Sequence, residues 1–394
     1  MKAEMPPHEH TSIGRAIRVG VDGRSVSGRR TGVGRYVGEL LSAAARLAGS
    51  SVQFTTVLFR SPNGCDVQDL RAAGVKTRKL WRPLEKAFYV GTRLLLPVPF
   101  ELVAPGQDVM LFPNYRRFVT LGKPTVSVIY DLGYLVAPES VHPRFIHQLR
   151  WIAPQAIRRS DVVIAVSHTV AAEIAAAYPS SAARLRVIRP GPARELSTDA
   201  PADWRARLER LGLRPGYLLH VGTIEPRKNL VNLMEAMRRL PPGLAKMHPL
   251  LLVGPRGWSD GPILKAIDSA ADRVRHLSFL PDPDLRAVYE GASLLVFPSQ
   301  YEGFGLPILE AMCAGLPVAC SDIPVLREVG GRAPAYFDHR DPAAIAATLV
   351  DLLTNPDHRE AMAARGRTQA NRFSWEPSAS LFLDTLVELS ARNR

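Results

Sequence analysis

Short apolar runs alternate along this chain with longer stretches of helical period. AIRVGVD (16–22), VQFTTVLF (52–59), DVMLFP (108–113), PTVSVIY (124–130) and DVVIAVS (161–167) are rich in Val and Ile and bounded by Pro, Gly or Asp, which predicts strands. TGVGRYVGELLSAAARL (31–47) sets Val33, Tyr36, Val37, Leu40, Leu41 and Ala44 on one face, which predicts an amphipathic helix. A second series follows: YLLHVGT (217–223), PLLLVGP (249–255), VRHLSFL (274–280) and ASLLVFPS (292–299), with helices expected near 229–240, 261–271, 283–291 and 306–314. Near-continuous apolar strands separated by helices predict parallel sheets buried on both faces. The fold class is therefore α/β, with two Rossmann-like doubly wound domains facing a cleft. RPGPARELSTDAPAD (189–203) reads as the connection between them. The expected organisation is a disordered arm at 1–15, an N-terminal domain at 16–195 and a linker at 196–212. A C-terminal domain at 213–375 and a last helix at 376–394, packing back toward the N-terminal domain, complete it.

At 394 residues, 46% hydrophobic and 22% charged, the chain has room for two cores and ordinary globular usage. No apolar run approaches the roughly 20 residues of a membrane span, and MKAEMPPHEHTSIGRA has no apolar centre of signal-peptide type. The three cysteines, Cys65, Cys313 and Cys320, show no metal-ligand spacing, and so sparse a set suits a reducing cytoplasm. The net charge of +13 is unevenly placed: residues 1–190 hold 26 Lys and Arg against 13 Asp and Glu, and the remainder is balanced. That surplus points to an anionic partner for the first half, a membrane surface or lipid phosphate, or else to an arginine-rich composition bias. With no helix-turn-helix, RNA-recognition or zinc signature, nucleic acid is not an expected partner.

Three stretches could carry chemistry. In FPSQYEGFGLPILEAMCAGLPVACSDIPVLREVGG (297–331) a strand leads through Gly303 and Gly305 into a helix whose first turn holds Pro307. The amides of Phe304, Gly305 and Leu306 would stand at that helix start, free to bind an anion. Glu302 and Glu310 flank it eight residues apart. An ionised carboxylate only accepts hydrogen bonds, so the pair suits a ligand with hydroxyls as well as phosphate, such as a nucleotide sugar. On spacing alone both glutamates can equally be solvated surface groups. In HVGTIEPRKNL (220–230), Arg227 and Lys228 precede Asn229, an expected N-cap. Cations there oppose the helix dipole, a conflict a bound polyanion would resolve; the alternative is a solvated surface pair. TGVGRYVGEL (31–40) places Gly32 and Gly34 in a strand-to-helix turn, a weak dinucleotide fingerprint that still permits close approach of a phosphate.

Together DGR…TGVGRY, PNY, YDLGYLVAPE, VSHTV, VGTIEPRKN and EGFGLPILE resemble the retaining glycosyltransferases of the GT-B fold, specifically glycosyltransferase family 4, from about Val19 to Trp375. The resemblance implies a hexosyltransferase whose C-terminal domain holds a nucleotide-diphosphate-sugar donor. Glu302 would contact donor-sugar hydroxyls, with the backbone of Gly303, Phe304, Gly305 and Leu306 on the sugar and phosphate. Glu310 would take the ribose hydroxyls, Lys228 with Arg227 would neutralise the diphosphate, and Thr223 would line the same pocket. Gly32 and Gly34 would give the phosphates room, and the nucleobase would lie near Phe279 and Leu280. On the acceptor side stand Asn114, Tyr115, Tyr130 and Asp131. Where the family usually reads His-Asp, this chain has Tyr130–Asp131, and a tyrosine cannot become a cation near neutral pH.

The resemblance also implies that no metal and no separate cofactor is used. DPD at 282–284 matches a D-x-D string, but Pro283 and the helix after it make it a turn. The mannosyltransferase-like look of VGTIEPRKN and PNY favours GDP-mannose as donor and a glycan or lipid-linked acceptor. RKLWRPLEKAFYVGTRLLLPVPF (78–100) mixes cations with Trp81, Phe88 and Tyr89. It suits an anionic membrane interface on the cytoplasmic side, or a core-packing helix with snorkelling cations. The competing readings are another GT-B enzyme, such as a sugar-nucleotide epimerase or a phosphorylase, a nicotinamide dehydrogenase, and a non-enzymatic binder of anionic surfaces.

Overall fold

The computed structural model describes residues 15–27, 32–59, 67–93, 98–196, 200–258, 260–270 and 273–392. The expected arm at 1–15, apart from Arg15, and Cys65 lie outside the described residues.

The first sheet has seven strands: β1 (Ile17–Asp22), β2 (Val52–Leu58), β3 (Lys76–Lys79), β4 (Val109–Phe112), β5 (Thr125–Ile129), β6 (Val162–Ala165) and β7 (Leu185–Val187), in the order β3-β2-β1-β4-β5-β6-β7. The second has six: β8 (Tyr217–Val221), β9 (Leu250–Val253), β10 (Val274–Leu277), β11 (Ala292–Phe297), β12 (Val318–Ser321) and β13 (Ala335–Phe337), in the order β10-β9-β8-β11-β12-β13. Every pairing in the second sheet is parallel. The central strands are buried on both faces, as runs such as VVIA and LLLV require. β3 escapes the pattern because KTRK is a polar edge, charged where a sheet edge has to discourage further pairing.

The chain divides into two compact units, the residues through Ser127 together with those from Glu376, and Val128–Trp375. This division falls inside β5, so β6 and β7, strands of the first sheet, are grouped with the second unit. In the first unit a cluster of phenylalanines (Phe59, Phe88, Phe100, Phe112, Phe118) fills the core. The Arg24 guanidinium lies 4.5 Å from the Phe118 ring centre, and its nitrogens bond the buried Asp22 at the end of β1. Phe382, on the last helix (Trp375–Ala391), stacks on Phe54 of β2 with ring centres 6.1 Å apart. The second core is aliphatic, built from Leu, Ile, Ala and Met of the strands and of helices Leu230–Arg239 and Pro342–Thr354.

Within the stretch expected to be a linker, Trp204–Arg210 forms a helix. Leu208 is buried, and Arg207 bridges to Asp284 at 2.9 Å. Periodicity missed it because so short a helix holds a single buried apolar residue. Asp284 is thereby placed in helix Asp282–Gly291 as an ion-pair partner, in the turn-and-helix setting expected for DPD. Among the described residues no helix is long and apolar enough to cross a membrane.

Candidate functional site: a buried cation–carboxylate cluster at the end of the second sheet

In the second sheet β8 lies between β9 and β11, so the connections after β8 and β11 leave in opposite directions from adjacent strands. Such a switch point opens a crevice at the carboxyl ends of the strands. The segment after β8 carries Gly222 to Lys228, and that after β11 carries Ser299 to Gly305. They are joined where the Gln300 amide donates to the Arg227 carbonyl at 2.9 Å. Arg227 and Lys228 sit in a single 3-10 turn, Pro226–Lys228.

Both cations converge on one carboxylate. Lys228 Nζ donates to Glu302 Oε1 at 2.5 Å, and Arg227 Nη1 to Glu302 Oε2 at 2.6 Å. Arg227 also donates to the Tyr301 carbonyl and to Glu225. Lys228 and Glu302 are 6% and 7% exposed, so the solvated alternative for these two does not hold. Burial alone would raise the Glu302 pKa, but the charges of Arg227 and Lys228 overcome it and hold the carboxyl at about 2. Lys228 is pushed down, first by burial and then by Arg227, against the opposing pull of Glu302. Arg227 is lowered by burial but raised on balance by Glu302, Glu225 and Asp131.

The loop after Glu302 is shaped for close approach. A Cβ on Gly303 would lie 1.8 Å from the Tyr130 carbonyl oxygen, so no other residue fits. Gly305 has φ +99°, a left-handed backbone that favours glycine, and it opens helix Leu306–Cys313 with Pro307 in the first turn. Among the described residues, none of the backbone N–H groups from Gly303 to Leu306 donates to a protein acceptor. Since buried N–H groups are nearly always paired, this run is a ready cradle for an anion. Glu310, on the same helix, is 3% exposed and accepts from the Tyr289 hydroxyl at 2.8 Å.

Several residues that hold this loop were not predicted. Ser167 Oγ donates to the Gly303 carbonyl at 2.8 Å and accepts from Val170 N as the cap of helix His168–Ala177. The Tyr301 hydroxyl donates to Glu173 and accepts from Leu132 N, both at 2.8 Å. Glu328 accepts from the His168 and Thr169 amides and the Thr169 hydroxyl. Only Ser167 had a sequence signal, as a serine directly before a helical pattern. Asp131 Oδ1 accepts from Gly133 N at 2.9 Å.

Thr223, Arg227, Lys228, Glu302 to Leu306, Glu310, Tyr130 and Asp131 all belong to the second unit. There too lie Phe279, 49% exposed, and buried Leu280, in the loop after β10. Gly32, Gly34, Asn114 and Tyr115 belong to the first unit. Gly32 is exposed and Gly34 buried on helix Gly32–Ala48, and Asn114 Oδ1 accepts from the Tyr115 amide. Asn229 stands at the N-cap of helix Leu230–Arg239 as expected, but its side chain makes no capping bond. Its backbone is left-handed at φ 56° and its side-chain amide donates to the His339 carbonyl at 2.7 Å.

The family model described as Glycosyl transferases group 1 matches residues 208–369, and that described as Glycosyltransferase Family 4 matches residues 30–193. The O-antigen chain mannosyltransferase B of Escherichia coli is 30% identical over 361 residues, 88% of this chain and 93% of that protein. Among solved structures, the sucrose-phosphate synthase of Thermosynechococcus elongatus superposes with a TM-score of 0.72 at 22% identity, covering 96% of this chain and 100% of that one. Anabaena HepE in complex with UDP and glucose gives 0.71 at 18% identity, covering 95% and 100%. This chain therefore belongs to the glycosyltransferases of family 4, enzymes of the GT-B fold.

Proposed function

We propose that this enzyme transfers a mannosyl group from GDP-mannose, with retention of configuration and without a metal, to a hydroxyl of a lipid-linked glycan. The observation that carries the reading is the buried Lys228–Glu302–Arg227 cluster beside the unpaired amides of Gly303 to Leu306. The name of the Escherichia coli relative supports the mannosyl group and the glycan acceptor.

In this account the amides and the two cations receive the diphosphate, as the charge developing on a leaving group requires. One well-aimed donor in a dry site contributes about 3–4 kcal/mol. Glu302 then exchanges its ion pairs for the sugar hydroxyls, and Glu310 takes the ribose. The bond from the anomeric carbon to the phosphate oxygen breaks as the acceptor oxygen bonds the same carbon on the same face. The acceptor's proton passes to the departing phosphate oxygen. Glu302 positions the donor. A carboxyl held ionised down to about pH 2 cannot act as a general acid at neutral pH.

The basic first half supports docking on an anionic membrane from the cytoplasmic side. Trp81, 74% exposed, and Val90, 56% exposed, stand beside exposed Arg78, Lys79, Arg82 and Lys86, while Leu84 and Phe88 turn into the phenylalanine core. A thermal-shift series over nucleoside diphosphates tests the donor. At a hundredfold excess over its dissociation constant, a ligand specific to the folded state adds about 2.7 kcal/mol. GDP is expected to raise the unfolding temperature above UDP and ADP, and NMR of the product to show an unchanged anomeric configuration. An inverted product, or GDP-mannose consumed only to an epimeric nucleotide sugar, contradicts the reading.

A further inference from the structure

We propose that His220 is a positioning residue that turns the Lys228 ammonium onto the departing phosphate once a donor sugar has engaged Glu302. The inference rests on the donor reading above and extends it to a side chain that no sequence motif singles out.

His220 lies on β8 and is completely buried. Its Nδ1 is 3.0 Å from the Val296 carbonyl oxygen. A carbonyl only accepts, so Nδ1 carries the hydrogen and the neutral ring presents a lone pair at Nε2. That Nε2 is sealed from solvent and has no hydrogen-bond partner among the described residues. A buried acceptor left unmade is costly and calls for a physical reason.

Its surroundings supply one. A Cβ built on Gly222 would lie 3.4 Å from His220 Nε2, 3.2 Å from Lys228 Cε and 3.6 Å from Lys228 Cδ. The imidazole acceptor and the end of the lysine thus face one another across a residue with no side chain. Phe297 ties them further: Lys228 Nζ is 5.0 Å from its ring centre, and the His220 ring lies 5.8 Å away, tilted by only 18°. The ammonium has three N–H donors, and among the described residues its hydrogen bond goes to Glu302.

A neutral acceptor suits this place better than a second carboxylate. Once Glu302 turns to sugar hydroxyls, Lys228 needs a group that fixes its direction without cancelling the charge that the diphosphate requires. The imidazole does that, and burial together with the Lys228 charge lowers its pKa to about 4, so it stays neutral through the working range.

The test is a double-mutant cycle of wild type, H220F, K228A and H220F/K228A, with H220Q as the variant that keeps an acceptor near the Nε2 position. Circular dichroism checks folding. Calorimetry measures the affinity gain of GDP over GMP, and steady-state kinetics separates kcat from KM. H220F is expected to lower kcat about tenfold, the worth of one hydrogen bond to a charged group, with little change in KM. It should shrink the GDP-over-GMP gain by a similar factor. The same change should have no effect in the K228A background, and H220Q should recover most of the loss. A folded H220F with the wild-type rate, or an equal loss with and without Lys228, overturns the inference and leaves the donor reading intact. A wild-type protein that binds no nucleoside diphosphate overturns both.

Discussion

The two halves of this molecule use charge in opposite ways. The first carries the whole net surplus, and its cations on the segment from Arg78 to Lys86 are exposed. The second is neutral in sum, yet it buries Lys228, Glu302, Glu310 and Arg286. Exposed charges are hydrated and screened, and each pair contributes about 0–1 kcal/mol. Buried ones lose hydration, and removing one partner costs about 3–5 kcal/mol. Buried charge is not confined to the second half, since Asp22 and Glu85 are buried in the first, but the convergence of two cations on one buried carboxylate is found at Glu302. The cores differ in parallel: phenylalanines around Phe100 and Phe118 in the first unit, and aliphatic packing under β8 and β11 in the second.

The strongest way to break this contrast is at Lys228. Lys228→Ala is expected to lower kcat by a factor on the order of 10²–10³, with Arg227 still pairing Glu302 and the fold intact by circular dichroism. A folded variant with wild-type turnover would reduce the buried cluster to a structural ion pair.

Acid stability sharpens the comparison next. The unfolded chain protonates His220 near pH 6.5, whereas in the folded protein burial and Lys228 depress it to about 4. Between those values the unfolded state binds more protons, so stability rises with pH and is lost on acidification, by about 3 kcal/mol from pH 6.5 down to 4. Glu302, held at about 2, loses its own contribution only below about pH 4.5. Urea midpoints measured from pH 7 to 4 should show a steeper upper slope in wild type than in H220F, where His339, also lowered by burial, still contributes. Equal slopes would mean that His220 titrates normally.

The smallest effect on stability belongs to the first half. Replacing Arg78, Lys79, Arg82 and Lys86 together by Ser should shift unfolding by less than about 1 kcal/mol while abolishing flotation with anionic vesicles at low salt. Flotation that persists, or that never favours anionic over neutral vesicles, removes the membrane half of the proposal.

Much of this layout was legible in the sequence because parallel strands are buried on both faces and write themselves as apolar runs. Nine strands are readable in that way. Four are not: β3, because KTRK is a charged edge, β7 and β13, only three residues long and partly exposed, and β12, whose four residues VACS sit inside the glycine-bearing stretch after Glu302. Gly303 and Gly305 were legible because their backbone positions exclude a side chain. The direction of Glu302 was not: a loop glutamate looks solvated until the turn at Pro226 brings two cations against it from a neighbouring strand. Asn229 misled for a related reason: its side-chain oxygen, the atom that would cap the helix, accepts from Gln300 Nε2 at 3.3 Å, while its amide nitrogen donates to the His339 carbonyl. His220 sits inside an apolar strand pattern, where one histidine carries no period and no motif.

The central claim is that the cluster after β8 and β11 grips a diphosphate. A crystal structure with GDP-mannose tests it most directly. The account predicts phosphate oxygens within hydrogen-bond distance of Lys228 Nζ and of the Gly303 to Leu306 amides, with Glu302 released to the sugar hydroxyls. A nucleotide sugar bound elsewhere while the Lys228–Glu302 pair stays closed would contradict it.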